Sequence, residues 1–166
     1  MENKKHIKIF ATGGTFDKEF NELDGKLYFQ KTNLYQLLQM GRSKLDVEIE
    51  TLMMIDSLDM TIEDREYIIN KCKNEKTKHI IITHGTDTMV ETATKLAEII
   101  NNKTIILTGA MIPIKFGSSD GLFNLGSALS FVQTLEPGIY ITMNGRYFHW
   151  DNVKKNKKIG VFERIK

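Results

Sequence analysis

The feature that most constrains this chain is a repeated one: four short apolar runs each end abruptly in a cluster of glycine and polar side chains. The runs occupy residues 7–11, 47–55, 79–83 and 104–107, and their length and β-branched content predict strands. Between them lie apolar residues at helical spacing: Leu34, Leu37 and Leu38, then Ile62, Tyr67 and Ile68, then Val90, Ala93, Leu96, Ala97 and Ile100. A further helix is expected over residues 121–133 and a fifth strand over 138–143. Strands alternating with helices predict the α/β class, an open and mostly parallel sheet with helices on both faces, Rossmann- or flavodoxin-like.

In such sheets ligands bind beyond the carboxyl ends of the strands, and here those ends carry chemistry. The first run is followed by Thr12-Gly13-Gly14-Thr15, the second by Asp56-Ser57, the third by Thr83-His84-Gly85-Thr86-Asp87-Thr88 and the fourth by Thr108-Gly109-Ala110. One such cluster is an ordinary turn or helix cap; four in phase describe a crevice lined with hydroxyls. Gly13, Gly14, Gly85 and Gly109 leave room for a ligand to approach the main chain, and the helix starts that follow aim free N–H groups at it. Thr12 and Thr88 are read as strand-end and helix-cap hydroxyls, and His84 as a structural hydrogen-bonding residue. Tyr147, Phe148 and Trp150 are read as a hairpin packing cluster.

Composition removes several function classes. The chain has 166 residues, enough for one core, and is expected to form a single domain over residues 1–166. With 23 basic and 21 acidic residues, net +2, it lacks the charge of a nucleic-acid binder. Cys72 is the single cysteine, sits in the polar stretch Asn70-Lys71-Cys72-Lys73, and has no metal-ligand spacing around it. The start, Met1-Glu2-Asn3-Lys4-Lys5, precedes too short an apolar run for a signal peptide or membrane span, so a cytoplasmic location without membrane partners is expected. Neither the G-x-G-x-x-G nor the G-x-x-x-x-G-K-[ST] phosphate pattern occurs, and no cofactor or metal is expected.

Taken together, TGGT at 12–15, DS at 56–57, HGTDT at 84–88, GAM-x-P from 109 and SSDG-x-FN at 118–124 resemble the bacterial-type L-asparaginases, in order and spacing, over nearly the whole chain. The resemblance implies hydrolysis of a side-chain amide by a threonine nucleophile, on a small amino-acid amide such as asparagine, with aspartate as product. It places Thr15 as the nucleophile and Tyr28, thirteen residues on, as the tyrosine of a mobile lid that activates it. Read alone, Tyr28 is a hairpin packing residue between Leu27 and Phe29. Ser57 falls where the family holds the substrate α-carboxylate, with Gly14 and Gly85 lining the same space. Thr86 and Asp87 match the second catalytic threonine and the aspartate that meets the α-amino group. Lys155 is in gapless register with the lysine that pairs with Thr86, although the adjacent Lys154 competes for the assignment.

The residue types suit the chemistry. A threonine hydroxyl needs a partner that takes its proton, and Tyr28 and Lys155 are candidate relays whose pKa values nearby positive charge would lower, as burial would that of the lysine. Strand-end N–H groups suit a developing oxyanion.

Two features depart from the family pattern. Leu58 stands where relatives carry a polar residue, and a lost hydrogen bond to a charged substrate costs about 1.5–3 kcal/mol. The family also continues into a smaller carboxyl-terminal domain that this sequence does not include, which leads to the expectation of a homo-oligomer, most simply a twofold dimer, covering the site mouth. The competing functions are a binding module without turnover and an amidase for a different linear amide.

Overall fold

The computed structural model describes residues 5–166, so the polar segment 1–4 read above lies outside the described residues. Strands β1 (His6–Gly13), β4 (Asp46–Ile55), β5 (His79–Thr83), β6 (Thr104–Thr108), β7 (Gly138–Met143) and β8 (Arg146–His149) form one sheet in the order β4-β1-β5-β6-β7-β8. All neighbours are parallel except β7 and β8. Strand order therefore reverses direction at β1 and β5, the switch point where the carboxyl ends leave a crevice.

Alternation along the strands divides the core. Ile81 and Ile106 point to one face with Ile7 and Ile9, under helices α1 (Leu34–Met40) and α4 (Gly121–Thr134). Ile80, Ile82, Ile105 and Leu107 point to the other, under α2 (Ile62–Asn74) and α3 (Met89–Ile99). The expected fold class and the five parallel strands are all present. The β1 strand runs further than its apolar run because Gly13 still pairs with Ile55 across a register shift.

The second helix differs in its face from the sequence expectation. Ile62 and Tyr67 are exposed, while Arg65, Ile68, Ile69 and Cys72 turn inward. Cys72 thus belongs to the core rather than to a polar surface, and burial pushes its thiol up to about 12. The hairpin expected around Tyr147 exists: Asn144 and Gly145, at φ 57° and 72°, form the tight turn between β7 and β8. Both signs of φ match the primed turn that the right-handed strand twist selects, for which Asn-Gly is the favoured pair. Phe148 enters the core with Trp150 against it, and Tyr147 packs edge-on to Phe131 at 5.0 Å.

Two small hairpins lie off the main sheet. One joins β2 (Lys18–Asn21) to β3 (Lys26–Phe29), directly after the 3-10 turn Thr15–Asp17; the other joins β9 (Lys154–Asn156) to β10 (Val161–Glu163).

Candidate active site

The crevice is built by close backbone approach. A Cβ on Gly14 would lie 2.4 Å from the Gly85 nitrogen, and one on Gly85 would lie 2.5 Å from Ser57 Oγ. Gly14 also holds φ 73°, a conformation that side chains resist, while its N–H donates to Ile55 O at 2.8 Å. The first three strand ends are thereby drawn together around Gly14, Gly85 and Ser57.

At the centre of the crevice three sequence-selected residues meet. Lys155 donates to Thr86 Oγ1 at 2.7 Å and to Asp87 Oδ1 at 2.8 Å. Strand alternation decides between the two lysines: Lys154 points away and pairs with Glu163 at 3.4 Å. The Lys155 side chain is largely buried and that of Asp87 partly open. An ammonium has no acceptor lone pair, so Thr86 accepts from Lys155 and keeps its own proton free to donate elsewhere. Its nearest acceptor among the described residues is a poor one, Met111 Sδ at 3.6 Å.

Ser57 sits beside Gly85 with its Oγ buried and without a hydrogen-bond partner among the described residues. Its carbonyl accepts from Thr88 Oγ1 at 2.9 Å. Thr88 occupies the N-cap position of α3 yet makes no capping bond, so its hydroxyl ties two loops rather than capping a helix. Thr12 donates to Thr83 O at 2.7 Å, a strand-end tie as expected.

His84 is fully buried. Its Nδ1 must donate to the Gly85 carbonyl at 2.8 Å, so Nε2 is the lone pair that accepts from Thr92 Oγ1 at 2.8 Å. Burial lowers its pKa to about 4, and it stays a neutral structural strut.

Thr15 and Tyr28 are not joined. The Tyr28 hydroxyl donates to Glu19 Oε2 at 3.3 Å, on the neighbouring strand of the hairpin, and no described side chain hydrogen-bonds the Thr15 hydroxyl. Partial desolvation and the Glu19 carboxylate push the Tyr28 phenol up rather than down, contrary to the lowering expected from the sequence. The hairpin that carries Tyr28 is nevertheless tied to the crevice. Asp17, buried, accepts from the Asn33 N–H at 2.8 Å and clasps the base of the hairpin, and its carboxyl is raised by that burial. Lys18 pairs with Asp56, whose other oxygen accepts from the Leu58 N–H at 3.0 Å. Burial pushes the Asp56 carboxyl up, but the bonds from Lys18 and Leu58 outweigh it and hold its pKa below the ordinary value. Leu58 itself is 67% exposed.

Nothing in the sequence singled out Asp17, Lys18 or the pairing of Lys18 with Asp56, because no spacing along the chain reveals that residues 18 and 56 are neighbours. Among the described residues no group of three or more His, Cys, Asp or Glu side chains is placed to hold a metal ion.

Fold and crevice define the class: a flavodoxin-like α/β protein whose switch point carries threonines, a lysine and an aspartate. Residues 6–162 match the family described as Asparaginase, N-terminal, and the chain belongs to the asparaginase family. It is 30% identical over 160 residues to an L-asparaginase of Thermococcus kodakarensis, covering 93% of this chain and 49% of that protein. It is also 30% identical over 168 residues to L-asparaginase 2 of Escherichia coli, covering 94% and 48%. The solved structure of the thermostable Thermococcus kodakarensis L-asparaginase superimposes with a TM-score of 0.85 at 29% identity, over 96% of this chain and 51% of that one. The structure described as a probable cytoplasmic L-asparaginase from Campylobacter jejuni gives 0.82 at 29% identity, over 96% and 52%. The chain spans about half the length of the curated relatives it matches.

Proposed function

We propose that this chain is an amidohydrolase that converts the side-chain amide of asparagine, or of a small analogue, into a carboxylate and ammonia. The observation that carries the proposal is the convergence of Lys155 on both Thr86 and Asp87 in a crevice bordered by Gly14, Gly85 and Ser57. In the proposed reaction Thr15 Oγ attacks the amide carbon and passes its proton to a neighbouring base. Thr86 gives its free proton to the departing nitrogen and receives one from Lys155. Ammonia leaves, an ester to Thr15 remains, and water hydrolyses it to release the acid and restore the threonine. The partly open Asp87 carboxylate meets the substrate ammonium. Ser57 Oγ, which lacks a partner among the described residues, gains one in the α-carboxylate, removing the cost of a buried unsatisfied hydroxyl, about 1–3 kcal/mol. Names of relatives as L-asparaginases support the same chemistry.

For Thr15 to act, the Tyr28 hairpin must move: Tyr28 leaves Glu19 and turns to the threonine when substrate enters. The open arrangement of Tyr28 favours a second reading, a module that binds amino acids without turning them over. Ammonia release from asparagine, glutamine and simple amides, alongside a thermal-shift titration with aspartate, separates the two. Release with saturation kinetics supports the hydrolase; a shift without release supports the binding module.

We also propose a cytoplasmic homo-oligomer. No described helix is long and apolar enough to cross a membrane. Phe20, Leu23, Phe116 and Phe123 are exposed apolar side chains of the kind that association covers. Light scattering on the purified chain tests the assembly; a strict monomer refutes it.

A further inference from the structure

The segment 118–124 and the Asn144-Gly145 turn have no part in the chemistry above, yet their polar groups form one connected chain of hydrogen bonds centred on the buried Asn124. Asn124, fully buried, donates through Nδ2 to Gly109 O at 2.9 Å and to Asp120 Oδ2 at 3.0 Å, and its Oδ1 accepts from the Asn144 N–H at 3.1 Å. Its amide orientation is fixed by these partners, since a carbonyl only accepts and a main-chain N–H only donates. Asp120 in turn accepts the N–H groups of Met111 and Ile112, each at 3.0 Å, and so shapes the loop that presents Met111 to Thr86.

The chain continues outward. Asn144 Oδ1 accepts from the Phe162 N–H at 3.0 Å, and Phe162 is the direct cross-strand partner of Lys155. The two-stranded hairpin that delivers Lys155 is thus tied to the main sheet by the side chain of one turn residue, beside the burial of the Phe162 ring in the core. The turn itself does not require that side chain. At φ 57° a glycine is at least as comfortable as asparagine, and what asparagine adds is the acceptor for Phe162.

We infer that Asn144, held in place by Asn124, is a positioning residue that sets Lys155 against Thr86. Only the kinetic part of the inference rests on the amidase reading. Asn144→Gly keeps the backbone geometry and deletes the acceptor; Asn144→Asp keeps an acceptor of the same reach. Hydrogen exchange of the full chain, resolved over residues 154–163, is compared with asparagine turnover for both variants.

For Asn144→Gly the expected result is exchange of the hairpin roughly 5-fold faster or more, from the lost hydrogen bond, with β5 and β6 unchanged. Turnover by the same variant falls about 10- to 100-fold, as misplacement of a reacting group produces, at a KM within about 3-fold of the parent. Asn144→Asp restores both. Unchanged hairpin exchange in Asn144→Gly, faster exchange with undiminished kcat, or an Asn144→Asp variant as impaired as Asn144→Gly each overturns the inference. A parent chain that releases no ammonia defeats the amidase reading, while the exchange comparison still decides whether Asn144 positions the Lys155 hairpin.

Discussion

Lys155 donates to the hydroxyl of Thr86 across 2.7 Å although 69 positions separate the two residues in the chain. The same ammonium reaches Asp87, so one buried cation orders two neighbouring side chains of a single strand-end loop. Because Lys154 is turned toward Glu163, the two adjacent lysines are expected to behave very differently on substitution.

Lys155→Met is expected to lower amide hydrolysis by at least about 100-fold, the lower end for a positioned proton-transfer group, while Lys154→Met stays within a few-fold of the parent. Ammonia release and circular dichroism on both variants provide the check. Equal losses for the two lysines contradict the geometry.

Thr15→Ala is expected to abolish turnover with little effect on stability, since it removes a hydroxyl that no described side chain holds. Thr86→Val, which preserves shape, should cost at least about 100-fold in rate. Its melting temperature should stay near that of the parent, because the hydroxyl's partners are a lysine and a weakly accepting thioether. Near-parental turnover by Thr15→Ala would remove it as nucleophile.

Asp87→Asn is expected to weaken binding of ligands that carry an α-amino group far more than binding of deamino analogues, because only the former lose a charge pair. Calorimetric titration with aspartate and with succinate compares the two classes. Parallel losses argue for a purely structural Asp87, acting through Lys155.

A fourth expectation concerns acid stability. Burial holds His84 at about 4, against 6.5 when exposed. Below pH 6.5 the unfolded chain takes up a proton that the native site refuses, so stability is full above pH 6.5 and falls as the pH drops toward 4. The single group accounts for about 3 kcal/mol across that window. Urea unfolding of the parent and of His84→Gln at several pH values isolates the contribution, and an unchanged pH slope in the variant contradicts it.

Much of the fold was legible because its signals are local. Residues 79–83 and 138–143 are strands for the reason the sequence suggests: short β-branched runs bounded by turn residues cannot bury themselves as helices. The glycine and hydroxyl clusters marked the strand ends, and the alternation of strand and helix implied the parallel sheet that gathers those ends at one edge. The helix at 62–74 was legible in its presence but not in its face, since Arg65 takes an inward position and hydrogen-bonds Met60 O while Ile62 is left outside.

Legible from the chain alone, therefore, was the inventory of the strand ends: Thr15, Ser57, Gly85, Thr86 and Asp87 lie within a few residues of them, and a parallel sheet brings strand ends together whatever lies between. Tertiary structure alone decided which of two adjacent lysines enters, because alternation in β9 and the pinning of Phe162 by Asn144 orient that hairpin. It also decided that Tyr28 faces Glu19 rather than Thr15, and that Lys18 meets Asp56. Those contacts join segments whose separation along the chain carries no periodic signal; they arise only when hairpins dock on a completed sheet, and side-chain charge and reach then select the partner.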